Sequence, residues 1–162
     1  MNRQEILLRR IRLTTSLFII GLVISGFTAL PLQTEVDFLA RFLSSDHSRS
    51  LHEVARWLSH VQTALHQTKA EYPFLFYGTD WLAFGHFMIA LAFLGALIDP
   101  VRNRWLFTFG MIACVLVIPY ALVCGAFRAI PLWWRFIDAS FGLLGFIPVS
   151  LCNNWAKELE RK

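Results

Sequence analysis

The chain has 162 residues, 56% of them hydrophobic and 16% charged, with a mean hydropathy of +0.53 and a formal net charge of +4. It is too apolar for an ordinary water-soluble domain of this length, and it is not a charged, disordered polymer. The excess of positive charge falls where membrane topology requires it, so no nucleic-acid partner is expected.

The first segment carries Arg3, Arg9, Arg10 and Arg12 before an apolar run from Leu13 to Leu32. Such an arrangement has features of a secretory signal, and Arg9-Arg10-Ile11-Arg12-Leu13 faintly resembles a twin-arginine signal. Cleavage after Ala29 would place Phe27 where a small residue is wanted, and the run exceeds a signal core in length. The segment therefore reads as a membrane helix with a cytoplasmic arginine anchor. Three further apolar runs follow, so the expected spans are residues 13–32, 81–98, 105–127 and 131–152. A hydrocarbon core about 30 Å thick needs about 20 helical residues to cross. None of the runs shows the period-two alternation of a barrel strand. The fold class expected is all-α: a polytopic membrane protein forming a single domain, a four-transmembrane-helix bundle with a two-helix extracytoplasmic cap over residues 33–80.

Within that cap, Thr34 followed by Asp37, with Val36, Leu39, Phe42 and Leu43 as the apolar face, makes the pattern of a short capped helix. Asp46 to Ser50 reads as a polar turn. Ser50 and Glu53 make a second capping box, followed by Leu51, Val54, Leu58, Val61 and Leu65 at helical spacing as far as Lys69. Glu71 to Tyr77, rich in aromatic residues, suits an interfacial return segment. Four of the five histidines fall in this region. Glu53 and His60 are nearly eclipsed on the second cap helix, but neither HxxxH nor ExxH spacing occurs, and no metal site is expected.

The charge pattern orients the chain. With the N-terminus inside, nine Lys and Arg residues lie in three short cytoplasmic segments, among them Arg102, Arg104, Lys157 and Arg161. The other six are outside, and four of these are diluted through a 48-residue loop with six acidic residues. Both termini are thus expected to be cytoplasmic, in a bacterial inner membrane. Asp99-Pro100, after the second span, reads as a structural turn, and Pro119 as a kink in the third helix. Cys114, Cys124 and Cys152 are too far apart along their spans to pair and have no CxxC spacing. They read as small packing residues.

The fourth apolar stretch, from Ala129 to Cys152, is interrupted only by Arg135 and Asp138. Charge at membrane depth is costly unless it faces protein or water, which makes this pair a pointer to a site. His86 and Tyr120 are expected in the same outer layer, with Asp80 and Arg128 just above it. Arg135, Asp138, Gly142, Gly145 and Val149 share one helical stripe; Gly21, Ser25 and Thr28, and Gly110, Cys114, Ala121 and Cys124, make similar stripes on the first and third spans. These are expected contact faces.

Two functions follow. In the first, the protein has a ligand-binding or interaction role as an accessory or assembly subunit of a membrane complex, with Arg135 and Asp138 neutralising each other for packing. In the second, it is an outward-facing enzyme on an anionic lipid. His86 and Asp138 are then the catalytic candidates, and Asp80, Tyr120, Arg128 and Arg135 the ligand-binding ones, because guanidinium forks suit phosphate oxygens. Whether the protein is an enzyme stays open between these readings. Asp80 also reads as a helix cap, His86 as interhelical glue and Arg128 as a lipid-phosphate contact. No cofactor is expected, since a bis-histidine haem in the bilayer needs a second membrane histidine. The expected partners are membrane lipids and either membrane proteins or further copies of the chain.

Overall fold

A computed structural model describes residues 2–44 and 52–161. The expected turn at Asp46 to Ser50 and the Ser50 half of the second capping box lie outside the described residues. Among the described residues six α-helices follow in order: α1 (Arg3–Ala29), α2 (Leu32–Ser44), α3 (His52–Glu71), α4 (Tyr77–Ile98), α5 (Arg104–Phe127) and α6 (Leu132–Glu160), with a 3-10 turn at Pro73–Phe76 before α4. There is no strand among the described residues. Helices α1, α4 with its leading turn, α5 and α6 are each long and apolar enough to cross a membrane. The chain divides into two compact units, Met1–Gly21 with Ile89–Lys162, and Leu22–Met88.

The first unit contains the main core: Ile11, Phe93, Ala96, Leu106, Phe107, Val149, Cys152 and Ala156 are all buried. Apolar burial gains little over lipid, so fit rather than water exclusion holds such a core. The space among Thr15, Phe18, Phe93, Phe107, Val149 and Cys152 has no room for a water molecule. Helices α5 and α6 approach closely. A methyl group built on Gly142 would collide with the Cys114 carbonyl oxygen and lie 2.5 Å from Val117 Cγ1. One on Gly145 would meet Cys114 Sγ at 3.0 Å, and one on Gly110 would meet Val149 Cγ1 at 3.0 Å. The small-residue stripes of the third and fourth spans therefore face each other. Cys114, Cys124 and Cys152 are free thiols, and Cys152 Sγ lies 3.7 Å from Thr15 Oγ1.

The turns explain how this hairpin closes. Ile130 N–H donates to Gly125 O at 2.9 Å and Ala129 N–H to Ala126 O at 3.2 Å, the pairing of a Schellman motif. Its left-handed position is held by Ala129, at φ 54°, where glycine would be unstrained. Between α4 and α5, Asn103 Nδ2 donates to the carbonyls of Gly95 at 2.9 Å and Asp99 at 3.1 Å, a second hydrogen bond to each, since these carbonyls also accept the backbone N–H of Asp99 and of Asn103. Asp99 Oδ1 accepts Arg102 N–H at 3.0 Å, so the turn is structural, as its sequence indicates. Helix α6 runs past its expected end at residue 152. Its extension is tied by Glu158 to Arg3 at 2.6 Å and by Glu160 to Arg104 at 3.3 Å.

In the second unit α2 and α3 pack side by side around buried Val36 and Leu58. Helix α2 starts at Leu32, with Glu35 N–H donating to Pro31 O at 3.0 Å. Thr34 is thus inside the first turn and not the expected cap; the fixed φ of Pro31 starts the helix earlier. Gly26 on the tail of α1 meets α4, where a methyl group would lie 2.6 Å from Phe87 Cε1 and 3.1 Å from His86 Cβ.

Candidate functional site

The six site residues expected from sequence divide between the units: Asp80 and His86 in one, Tyr120, Arg128, Arg135 and Asp138 in the other. Asp80 is exposed and lies within the first turn of α4, which begins at Tyr77. It is not the cap; its carboxylate instead faces the positive end of the helix dipole. His86 is half-buried and its Nδ1 lies 2.8 Å from Leu82 O. A carbonyl only accepts, so Nδ1 carries the proton and Nε2 is left as a lone-pair acceptor in the neutral ring. The bond is within α4, which departs from the expected interhelical one, because the i−4 carbonyl is in reach of the ring.

In the other unit, Tyr120 is 70% exposed on α5, and Arg128 is the exposed C-cap residue of the same helix. Arg135 does not pair with Asp138. Its Nε donates to Ile130 O at 2.7 Å, and its stem packs on Gly125, where a methyl group would come within 2.7 Å of both Cγ and Cδ. The Schellman turn turns the Ile130 carbonyl back toward the first turn of α6, and that acceptor competes successfully for the guanidinium. Asp138 is half-buried, with no hydrogen-bond or ion-pair partner among the described residues. Arg135 therefore acts as a brace on the α5–α6 turn.

One polar cluster was not anticipated. Asp37 Oδ1 accepts from Gln62 Nε2 at 2.8 Å and from His66 Nε2 at 3.0 Å, while Gln33 Nε2 lies 2.8 Å from His66 Nδ1. These bonds tie α2 to α3. The Gln62 bond, then the His66 bond, holds the Asp37 carboxyl below the ordinary aspartate range. A signal existed: Gln33 and Asp37 are four residues apart, as are Gln62 and His66, so each pair shares a helix face. On the same α3, Glu53 instead pairs with Arg56 at 3.3 Å, and His60 stacks against Trp57 with ring centroids 5.8 Å apart. Among the described residues no group of three or more metal-ligating side chains converges.

Four long apolar helices in an all-helical chain define a polytopic integral membrane protein. Comparison with known proteins gives no matching family model, no matching curated relative and no matching solved structure.

Proposed function

We propose that the protein is a small accessory or assembly subunit of a membrane complex, and that a partner's transmembrane helix docks along an open face of α4. The observation that carries this reading concerns two glycines. Gly78 and Gly85 are seven residues apart, so they lie within about 20° of each other around the helix. A methyl group on either would meet nothing within 4 Å. Trp81 and Leu82, on the same face, are 56% and 55% exposed. Glycines in membrane helices serve close helix approach, and Gly26, Gly110, Gly125 and Gly142 already do so inside the chain. Among the described residues the pair on α4 has no such use, which favours a partner there, either another protein or a second copy.

In this reading both termini face the cytoplasm of a bacterial cell. The exposed Arg9, Arg10, Arg12 and Arg102 support that orientation, and a groove of about 490 Å³ lined by Arg9, Arg12, Ser16 and Glu5 suits a lipid headgroup there. The test is native mass spectrometry of protein released from its own membrane, comparing wild type with Gly78→Leu and Gly85→Leu. A methyl group at either position meets nothing within 4 Å, and neither position is buried, so both variants should fold. The expected result is a stoichiometric partner lost in both. A bare wild-type chain, or a partner retained by both variants, overturns the reading.

A second reading, acid–base chemistry on an anionic lipid, rests on the free Nε2 of the His86 ring, the tautomer a general base requires. Its test is turnover of a phospholipid by wild type that is lost in His86→Gln.

A further inference from the structure

We infer that α2 is a membrane-surface helix, sunk into the bilayer's headgroup layer with Phe38 and Leu39 directed into the upper acyl chains, and that its occupant on this face is phospholipid. Helix α2 has two faces with opposite needs. Gln33 and Asp37 point to α3 and are engaged there by His66 and Gln62, and Val36 is buried. Thr34, Glu35, Phe38 and Leu39 point the other way, three and four residues apart. Among the described residues nothing covers that side: Phe38 is 69% exposed and Leu39 43%. With Pro31, these residues line an open concavity of about 430 Å³.

What covers the face follows from where the chain puts it. Only Leu30 and Pro31 separate α2 from the end of α1, so α2 begins at the depth where that span leaves the hydrocarbon. Phe27, at the end of α1, is 59% exposed and Leu30 45% exposed, so the lipid-facing surface of the span continues into the turn and onto Phe38 and Leu39. The same unit offers other interfacial side chains, Tyr72, Tyr77 and Trp81, all more than half exposed. Such rings settle at headgroup depth. Helix α3, by contrast, presents Glu53 and Arg56 with side chains 76% and 73% exposed, as a helix in water does. Thus α2 lies between α3 and the lipid, in the manner of an interfacial amphipathic helix whose apolar face sinks about 5–10 Å. Thr34 and Glu35 stay at the polar rim.

The test replaces Phe38 or Leu39 by photoreactive p-benzoylphenylalanine in the full chain, reconstituted alone in nanodiscs of phosphatidylcholine and phosphatidylglycerol, with Glu53 replaced as the control. Both α2 positions are exposed enough to take the larger ring, and helical content is checked before irradiation. Intact-mass analysis should show adducts of one phospholipid at positions 38 and 39, at least fivefold above position 53. Covalent dimers of the chain, or lipid adducts no more frequent than at position 53, would overturn the inference. Because no other protein is present, neither result bears on docking of a different membrane protein at α4.

Discussion

The same substitution at two glycines should move stability in opposite directions, because only one of them is held against a neighbouring backbone. At Gly142 an added methyl meets the Cys114 carbonyl oxygen, with Val117 and Ile118 beside it. A carbonyl within a helix cannot rotate away, so α5 and α6 must separate, an overpacking cost of about 1–3 kcal/mol toward the upper end. Replacing glycine by alanine within a helix returns about 0.5–1 kcal/mol. Gly142→Ala should therefore lose about 2 kcal/mol net. Gly85→Ala meets nothing and should gain the propensity term alone. The difference, about 2.5–3 kcal/mol, is roughly 70–160-fold in the unfolding equilibrium. Gly125→Ala should fall between, since its neighbour is the flexible stem of Arg135. Reversible unfolding in mixed micelles, followed by circular dichroism on the purified chain, measures all three. A Gly142→Ala variant as stable as wild type would refute the close crossing at Cys114.

Other consequences are equally specific. Ala129→Gly relieves a left-handed alanine at about 1–2 kcal/mol and loses about 0.5–1 kcal/mol to the freer unfolded chain, so the melting temperature should rise slightly. Arg135→Ala should cost about 1.5 kcal/mol, the worth of a part-buried charge-assisted bond, while Asp138→Asn stays near neutral; equal losses in the two unfolding curves would restore the ion pair. Asn103→Ala removes both bonds at the end of α4 and should cost about 1–2 kcal/mol in the same assay, with no rescue by Asn103→Asp, which lacks the donor. Because the Asp37 carboxyl is held below its ordinary range when folded, its contribution is present above that range and is lost as the pH falls through the lowered value. Amide protection over residues 32–44 should thus collapse in acid for wild type and show a flatter profile in Asp37→Asn; matching profiles would remove Asp37 as the cause.

The membrane helices were legible because length and hydropathy alone decide them: no strand pattern competes over such runs. The facing stripes of Gly110 and Cys114 with Gly142, Gly145 and Val149 were legible too, since periodicity gives the face and small size gives the close approach. What sequence did not give was the partner of each polar group. Arg135 and Asp138 are three residues apart and look paired, yet a carbonyl exposed by the α5–α6 turn takes the guanidinium, and that turn depends on a strained Ala129 that no turn preference predicts. His86 likewise finds an acceptor one turn back on its own helix. The Asp37 cluster was missed for the opposite reason: its spacings are plain, but matching one helix to another needs their relative register, which hydropathy does not contain.

The division of buried residues between the units bears on where function lies. The main cluster belongs to the unit of α5 and α6, where the glycines of those two helices are filled, turns are bonded and charged ends are paired, though Gly21 on α1 is open. In the unit of Leu22–Met88 few large side chains are buried, Val36 and Leu58 being the hydrophobic pair between α2 and α3, while Phe27, Phe38, Tyr72, Phe74, Tyr77 and Trp81 are exposed. In the readings proposed above, lipid lies beside α2, where Phe38 and Leu39 are exposed, and a partner's helix lies beside α4, where Gly78 and Gly85 leave open space. The first unit has no comparable unfilled glycine pair on α5 or α6, so substitutions there should change stability, and those at the exposed Phe38 and Leu39 of α2 or at Gly78 and Gly85 of α4 should change association while leaving the isolated chain folded.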